Sequence, residues 1–362
     1  MKLTLRALSR DELSWANERY AEIQPLKPGS KIVAPSSSAL TRPICCQVHY
    51  RMSLPRLAGV VLLAACATSA SAQQVPDLAY QPVLNAPAYA YVADSGPSIV
   101  IDAGHHNFHT LEGRYRPFAS LLRRDGFRLS GSPATLSPQT LAAIDVLVVA
   151  NALNERNQTD WRLPNPPAFA DAEIAALHAW VEGGGSLFLI ADHMPFAGAA
   201  SSLARAFGVE FSNGFAGKAD GNVGPIDFDI EHGLMPSAVT EGRNPSERVR
   251  HVVTFTGSAF KAPPGAIPVL TFGAGFVSLE AAAPFKIDTA TPRVPIADWS
   301  QGALLKVGKG RVAVFGEAGM FTAQLQGPQA RRFGMNASTA NQNFQFLLNV
   351  VHWLARTPGM PE

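Results

Sequence analysis

The chain has 362 residues with a net charge of +2, but residues 1–72 carry nine Lys/Arg and four Asp/Glu, so the remaining 290 hold 21 basic and 24 acidic residues and a net charge of −3. No basic patch is left to suggest nucleic acid as a partner, and this length suits one large domain better than two. All three cysteines (Cys45, Cys46, Cys66) lie within the first 66 residues, so the rest of the chain can hold no disulfide scaffold, thiolate metal site or cysteine nucleophile.

Residues 52–72 read as an export signal: Arg56, the apolar run Leu57–Ala65, then small residues ending Ala70-Ser71-Ala72. The run is too short to span a bilayer. Cleavage after Ala72 is one expectation. Lipidation of Cys66 in Leu63-Ala64-Ala65-Cys66 is the other, and these two routes are the only membrane association expected. An export signal belongs at an N-terminus, so residues 1–51 are expected to be an extension ahead of a true start at Met52, the alternative being a small cytoplasmic segment.

After a Pro/Ala-rich, irregular lead-in over 73–96, the pattern alternates between strand and helix. Strands are expected at 98–103, 127–129, 145–150 and 186–191, with helices over 115–125, 171–183 and 199–207. In the helix from Asp171, the residues Ile174, Leu177, Trp180 and Val181 share a face, and Gly183–Gly185 ends it. The alternation predicts an α/β, doubly wound, mostly parallel sheet. Residues 213–250 have many Gly and Pro and read as an inserted lid, dispensable for the core. From His251 strands are expected at 251–256, 267–272, 302–307 and 311–315, the last two forming a hairpin across Gly308-Lys309-Gly310. A helix over 340–356 closes the chain.

Three stretches carry a resemblance: ADAEIAALHAWVEGGGSLFLIADH (170–193), GKGRVAVFGEAGMF (308–321) and NQNFQFLLNVVHWLA (341–355). Together they resemble the class I glutamine amidotransferase-like superfamily, a flavodoxin-like architecture, over residues 97–356. Within it they are most similar to exported families of unknown function related to the domain shared by gliding-motility and intraflagellar-transport proteins. Glutamine-hydrolysing members carry a cysteine on a glycine-flanked strand-to-helix turn. Here that turn reads Ala191-Asp192-His193-Met194-Pro195, so the resemblance implies the fold without glutamine hydrolysis.

Strand ends of one parallel sheet converge on one edge, where ligands sit. This gathers Asp102, His105, His106, His109, Asn151, Asp192, His193 and Glu317 as candidate ligand-binding residues. Asp102, His105, His109, Asp192 and His193 are also candidate metal ligands or acid/base groups, although D-x-x-H-H-x-x-H matches no established ligand signature. Plainer roles stand beside these. Asp102 can accept N–H bonds in its own loop, His193 can bond a carbonyl or cap the next helix, and in an extended segment only one of His105 and His106 faces a site. Arg114 beside a carboxylate suits an anionic or hydroxyl-rich ligand, or, with Glu112 and Arg116, a solvated salt-bridge face. Trp161 and Trp299 are stacking platforms for a sugar or covers over apolar patches. His178, His251, His352, Trp180 and Trp353 are expected to be structural. Neutralising Asp192 or Glu317 is expected to leave stability unchanged or raised, because like charges at one crevice repel.

Three functions fit these residues. One is a cell-envelope domain that binds a small polar or carbohydrate ligand, exported to the periplasm or beyond. The second is a metal-assisted or acid/base hydrolase, and the third a structural assembly module. Oligomeric state is left open.

Overall fold

The computed structural model describes residues 74–84 and 89–362. The extension at 1–51, the export signal at 52–72 and Cys66 lie outside the described residues.

Five strands run parallel in the spatial order Arg128–Ser132, Ser98–Asp102, Val146–Ala150, Ser186–Ile190 and Gly310–Phe315. The central ones are continuous apolar runs because both of their faces are covered. Successive side chains on a strand point to opposite faces, and the packing obeys that rule. Phe188 and Ile190 pack in one cluster with Phe118 and Leu122 of the helix Arg116–Arg124 and Leu347 of the helix Asn343–Leu354. Leu187 and Leu189 pack in the other, with Leu177 and Val181 of the helix Asp171–Gly183 and Leu203 of the helix Phe196–Ala206.

At its other side the sheet turns antiparallel. Ser300–Val307 pairs with Gly310–Phe315 through a two-residue turn, the register ending at Val307 opposite Gly310. Gly308 there has φ +56, a conformation that favours glycine in a hairpin turn. Ile267–Thr271, Phe260–Lys261 and Glu210–Phe211 extend this side antiparallel, for nine strands in all. The architecture is therefore mixed α/β, with a central sheet parallel through its core and smaller antiparallel sheets around it.

Two expectations are corrected. Residues 213–250 are not a lid outside the core: Phe228, Leu234, Val239 and Val249 are buried within the main cluster, and Phe215 within a smaller one beside Met194. Phe215–Lys218 pairs with Phe276–Leu279, and Ile226–Asp229 pairs with His251–Thr254. The reason is period. Ile226 and Phe228 face inward between Asp227 and Asp229, an alternation too brief to stand out among the glycines and prolines. The lead-in is also partly regular, since Gln74–Pro76 pairs with Ala323–Gln326, which pairs in turn with Arg331–Gly334.

Candidate functional site

The parallel strands Ser98–Asp102, Val146–Ala150, Ser186–Ile190 and Gly310–Phe315 end on one edge, and a loop from each meets there. The first, 103–109, is tied across its neighbour: Phe108 N donates to Asn151 O (2.9 Å) and Leu153 N to His105 O (2.9 Å). Asn151 takes φ 58, which asparagine tolerates better than most residues. That turn aims its Oδ1 at the backbone N–H of Asp192 (2.9 Å). Asp192 comes just after the apolar strand Ser186–Ile190, and Glu317 just after Gly310–Phe315.

A cavity of about 60 Å³ opens at this edge, room for roughly four to six waters or one small polar group. His109, Asn151, Asp192, His193 and Glu317 line it, together with Arg114, Thr256 and Gln324. Its walls are aromatic. Trp161 packs edge-on against Phe196 (4.8 Å) and Phe108 (5.3 Å), while His193 stacks on Phe215 (4.2 Å) with Phe285 at its edge (5.1 Å). Arg114 lies over the Phe108 ring at 4.0 Å, so it turns to the pocket, whereas Glu112 and Arg116 form an exposed i,i+4 pair at 3.9 Å. Trp161 lines the cavity and Trp299 does not.

The polar groups differ in how far the protein satisfies them. Glu317, 1% exposed, accepts the N–H groups of Gly319 (2.8 Å) and Met320 (2.6 Å). Asp192 Oδ1 accepts the N–H of His193 (2.8 Å) and lies 3.7 Å from its Nε2. Asp192 Oδ2 has no hydrogen bond among the described residues. The Nδ1 of His193 is 2.6 Å from Met194 O, so it carries the proton and donates. Burial, reinforced by the charge of Arg114, holds the His109 imidazole well below its ordinary pKa of 6.5, so the ring is neutral at pH 7. Its Nδ1 is buried with no hydrogen-bond partner among the described residues, and so is Oε1 of Gln324. Behind the pocket, Tyr115 stacks on His109 at 4.8 Å. Burial, then the charges of Glu317 and Asp192, push its phenol well above the ordinary value, so it stays protonated.

Asp102, His105 and His106 do not join this pocket. Asp102 accepts from Gly104 N (3.0 Å) and Asn107 Nδ2 (2.6 Å), and its Oδ2 lies 2.8 Å from His105 Nδ1. The other ring nitrogen of His105 meets Glu173 at 3.1 Å, and the ring lies 4.2 Å from Phe169. His106, at φ 48, is exposed. The proposed metal set Asp102, His105, His109, Asp192 and His193 is thus split between two places, and among the described residues no three His, Cys, Asp or Glu side chains gather as ligands. Of the residues expected to be structural, His352 meets Asp125 at 2.6 Å in the core, and His251 meets Asp227 at 3.0 Å.

The His105 network has a definite pH signature. Burial lowers the imidazole's pKa, but Asp102 and Glu173 more than offset it and hold the value above 6.5. A raised folded-state pKa gives stability that is complete below the unfolded value, here about 6.5, and lost as pH rises through the folded one. Urea midpoints measured upward from pH 6 are expected to decline for the wild type and to decline less for His105→Gln. Equal slopes would show that the proton on His105 does not contribute.

Sequence reasoning missed Phe196, which opens the helix after the Asp192-His193 turn, and Phe285, Gln324 and Phe333, which come to the pocket from outside the parallel strand ends. Of these, only Phe285 is an aromatic residue standing in an irregular loop, the one signal the sequence offered.

No protein-family model matches the sequence, and no curated protein matches it. Among solved structures the chain is similar to the mmIFT52 N-terminal domain, at 13% identity and a TM-score of 0.49, over 71% of this chain and 96% of that one. It is also similar to a protein from Bacteroides uniformis described as ThuA-like (14% identity, TM-score 0.40, 74% and 95% covered). A Thermoplasma acidophilum protein described as a GMP synthase subunit is similar at 11% identity and a TM-score of 0.38, with 72% and 95% covered. These likenesses concern fold alone and carry nothing about chemistry.

Proposed function

We propose that the protein binds a small hydroxyl-bearing ligand, of carbohydrate type, in the pocket at the strand ends, as an exported flavodoxin-like domain that does not hydrolyse glutamine. The observation that carries this reading is the open Oδ2 of Asp192, an unbonded acceptor inside an aromatic wall. Ligand sites combine apolar or aromatic lining with a few convergent polar groups, and an ionised carboxylate is a strong acceptor for O–H donors. The neutral ring of His109 adds a further polar contact. No cysteine occurs after position 66, which supports binding over amide transfer.

The test is calorimetric titration of the full chain with a panel of mono- and oligosaccharides, then of the Asp192→Asn variant. A hydrogen bond to a charged group contributes about 1.5–3 kcal/mol, so the variant is expected to bind roughly ten- to a hundredfold more weakly. Its stability should fall by less than about 1 kcal/mol, since the amide oxygen can still accept from His193 N. Failure of every sugar to bind, or unchanged affinity in the variant, would sink the proposal. Turnover of glycan, ester or amide substrates with loss in Asp192→Asn would instead identify a hydrolase.

A further inference from the structure

A second, much roomier depression of about 530 Å³ adjoins the pocket. Phe333 lines both, so the two share a wall, and Phe255 stands behind that ring at 4.3 Å. The groove runs along Arg331–Gly334, the outer strand of the small sheet whose middle strand carries Gln324 to the pocket. Its lining includes Arg331, Arg332, Gln326, Ser338 and Thr339 and, among the described residues, no acidic one. Both arginines are exposed, and neither side chain makes an ion pair or hydrogen bond among the described residues. Charged residues on an edge strand also discourage strand pairing. Here both line one concave floor with two hydroxyls and an amide, which an edge alone does not require.

We infer that the ligand is an acidic oligosaccharide, with one hydroxylated end in the strand-end pocket and an acidic group in the groove held by Arg331 and Arg332. This rests on the carbohydrate reading of the pocket. The size difference supports it. The inner cavity takes only a small polar group, so a larger ligand must continue outward, and the shared wall at Phe333 leads into the groove. The charges are also divided: the Asp192 carboxylate serves the hydroxyl end, while guanidiniums, whose fork matches carboxylate or sulfate oxygens, face the other.

The test titrates the full chain with tetragalacturonate, a heparin-derived sulfated tetrasaccharide, maltotetraose and a tetranucleotide, at low salt and at about 0.5 M, where exposed charges are screened. At least one acidic tetrasaccharide should bind tenfold or more tighter than maltotetraose at low salt, and the two acidic probes tell carboxylate from sulfate. The preference should shrink at high salt and vanish in the double variant Arg331→Gln/Arg332→Gln, with maltotetraose affinity unchanged. Asp192→Asn should weaken the acidic sugars too, because the ligand spans both parts. Equal affinity for acidic and neutral sugars overturns this inference and leaves the pocket reading standing. So does acidic-sugar binding that ignores the arginine double variant, or a tetranucleotide that binds as tightly, whereas sugar binding that ignores Asp192→Asn overturns the pocket reading as well. Binding of none of the sugars overturns both.

Discussion

Asp102→Ala is expected to cost about 3–5 kcal/mol of stability, the range for removing one partner of a buried charged network. Asp102 is 1% exposed and satisfies three donors: Gly104 N, Asn107 Nδ2 and His105 Nδ1. Alanine leaves all three without that acceptor, and His105 loses the closer of its two carboxylates. The damage also reaches the pocket. Asn107 Oδ1 accepts from Ala150 N at 3.1 Å, and this bond anchors the loop that carries Phe108 and His109. Urea unfolding at constant m-value gives the stability loss, and sugar titration of the still-folded fraction should show weakened affinity. A loss below about 1 kcal/mol would mean that Asp102 is not the keystone of the loop.

That role was half visible in the sequence. Asp at a strand-to-loop junction suggests an acceptor for local N–H groups, and Gly104 and Asn107 supply them. The direction of the histidines was not visible, because periodicity orients side chains only within regular elements. His105 turns toward Glu173 of the helix Asp171–Gly183, His106 turns out to solvent, and His109, four residues after His105, turns into the pocket. By contrast Asn151, Asp192 and Glu317 were legible. Each comes at the end of a clear apolar strand, and parallel strands of one sheet bring their carboxyl ends to one edge. Gly183–Gly185 and the run Ser186–Ile190 fixed the position of the Asp192-His193 turn by ordinary helix-stop and strand signals. The opposite wall was not legible: Gln324 and Phe333 sit on four-residue antiparallel strands, too short for a periodic signal and placed by pairing with Gln74–Pro76, far away in the chain.

Glu317→Gln is expected to lower stability by about 2–3 kcal/mol, opposite to what repulsion between neighbouring carboxylates suggests. The deciding observation is that each Glu317 oxygen already accepts a backbone N–H, from Gly319 at 2.8 Å and Met320 at 2.6 Å. Hydrogen bonds to charged groups contribute about 1.5–3 kcal/mol each, whereas relief of repulsion from Asp192 is limited because that group opens into a solvent-accessible cavity. Glutamine keeps one acceptor oxygen and presents an NH₂ to the second N–H, so one bond is lost and a donor faces a donor. A shift of roughly 4–8 °C in melting temperature should result for a domain of this size. Gly319→Ala provides an independent check: a Cβ there would lie 2.6 Å from Glu317 Oε1 and 2.9 Å from the Phe333 ring. That crowding should cost about 1–3 kcal/mol by pushing the same carboxylate off its donors. If Glu317→Gln melts at or above the wild-type temperature, repulsion between the two carboxylates outweighs the turn, and Glu317 belongs to the ligand rather than to the scaffold. If both variants melt lower while Asp192→Asn does not, the two acids divide the work: Glu317 fixes the turn that floors the pocket, and Asp192 meets what enters it.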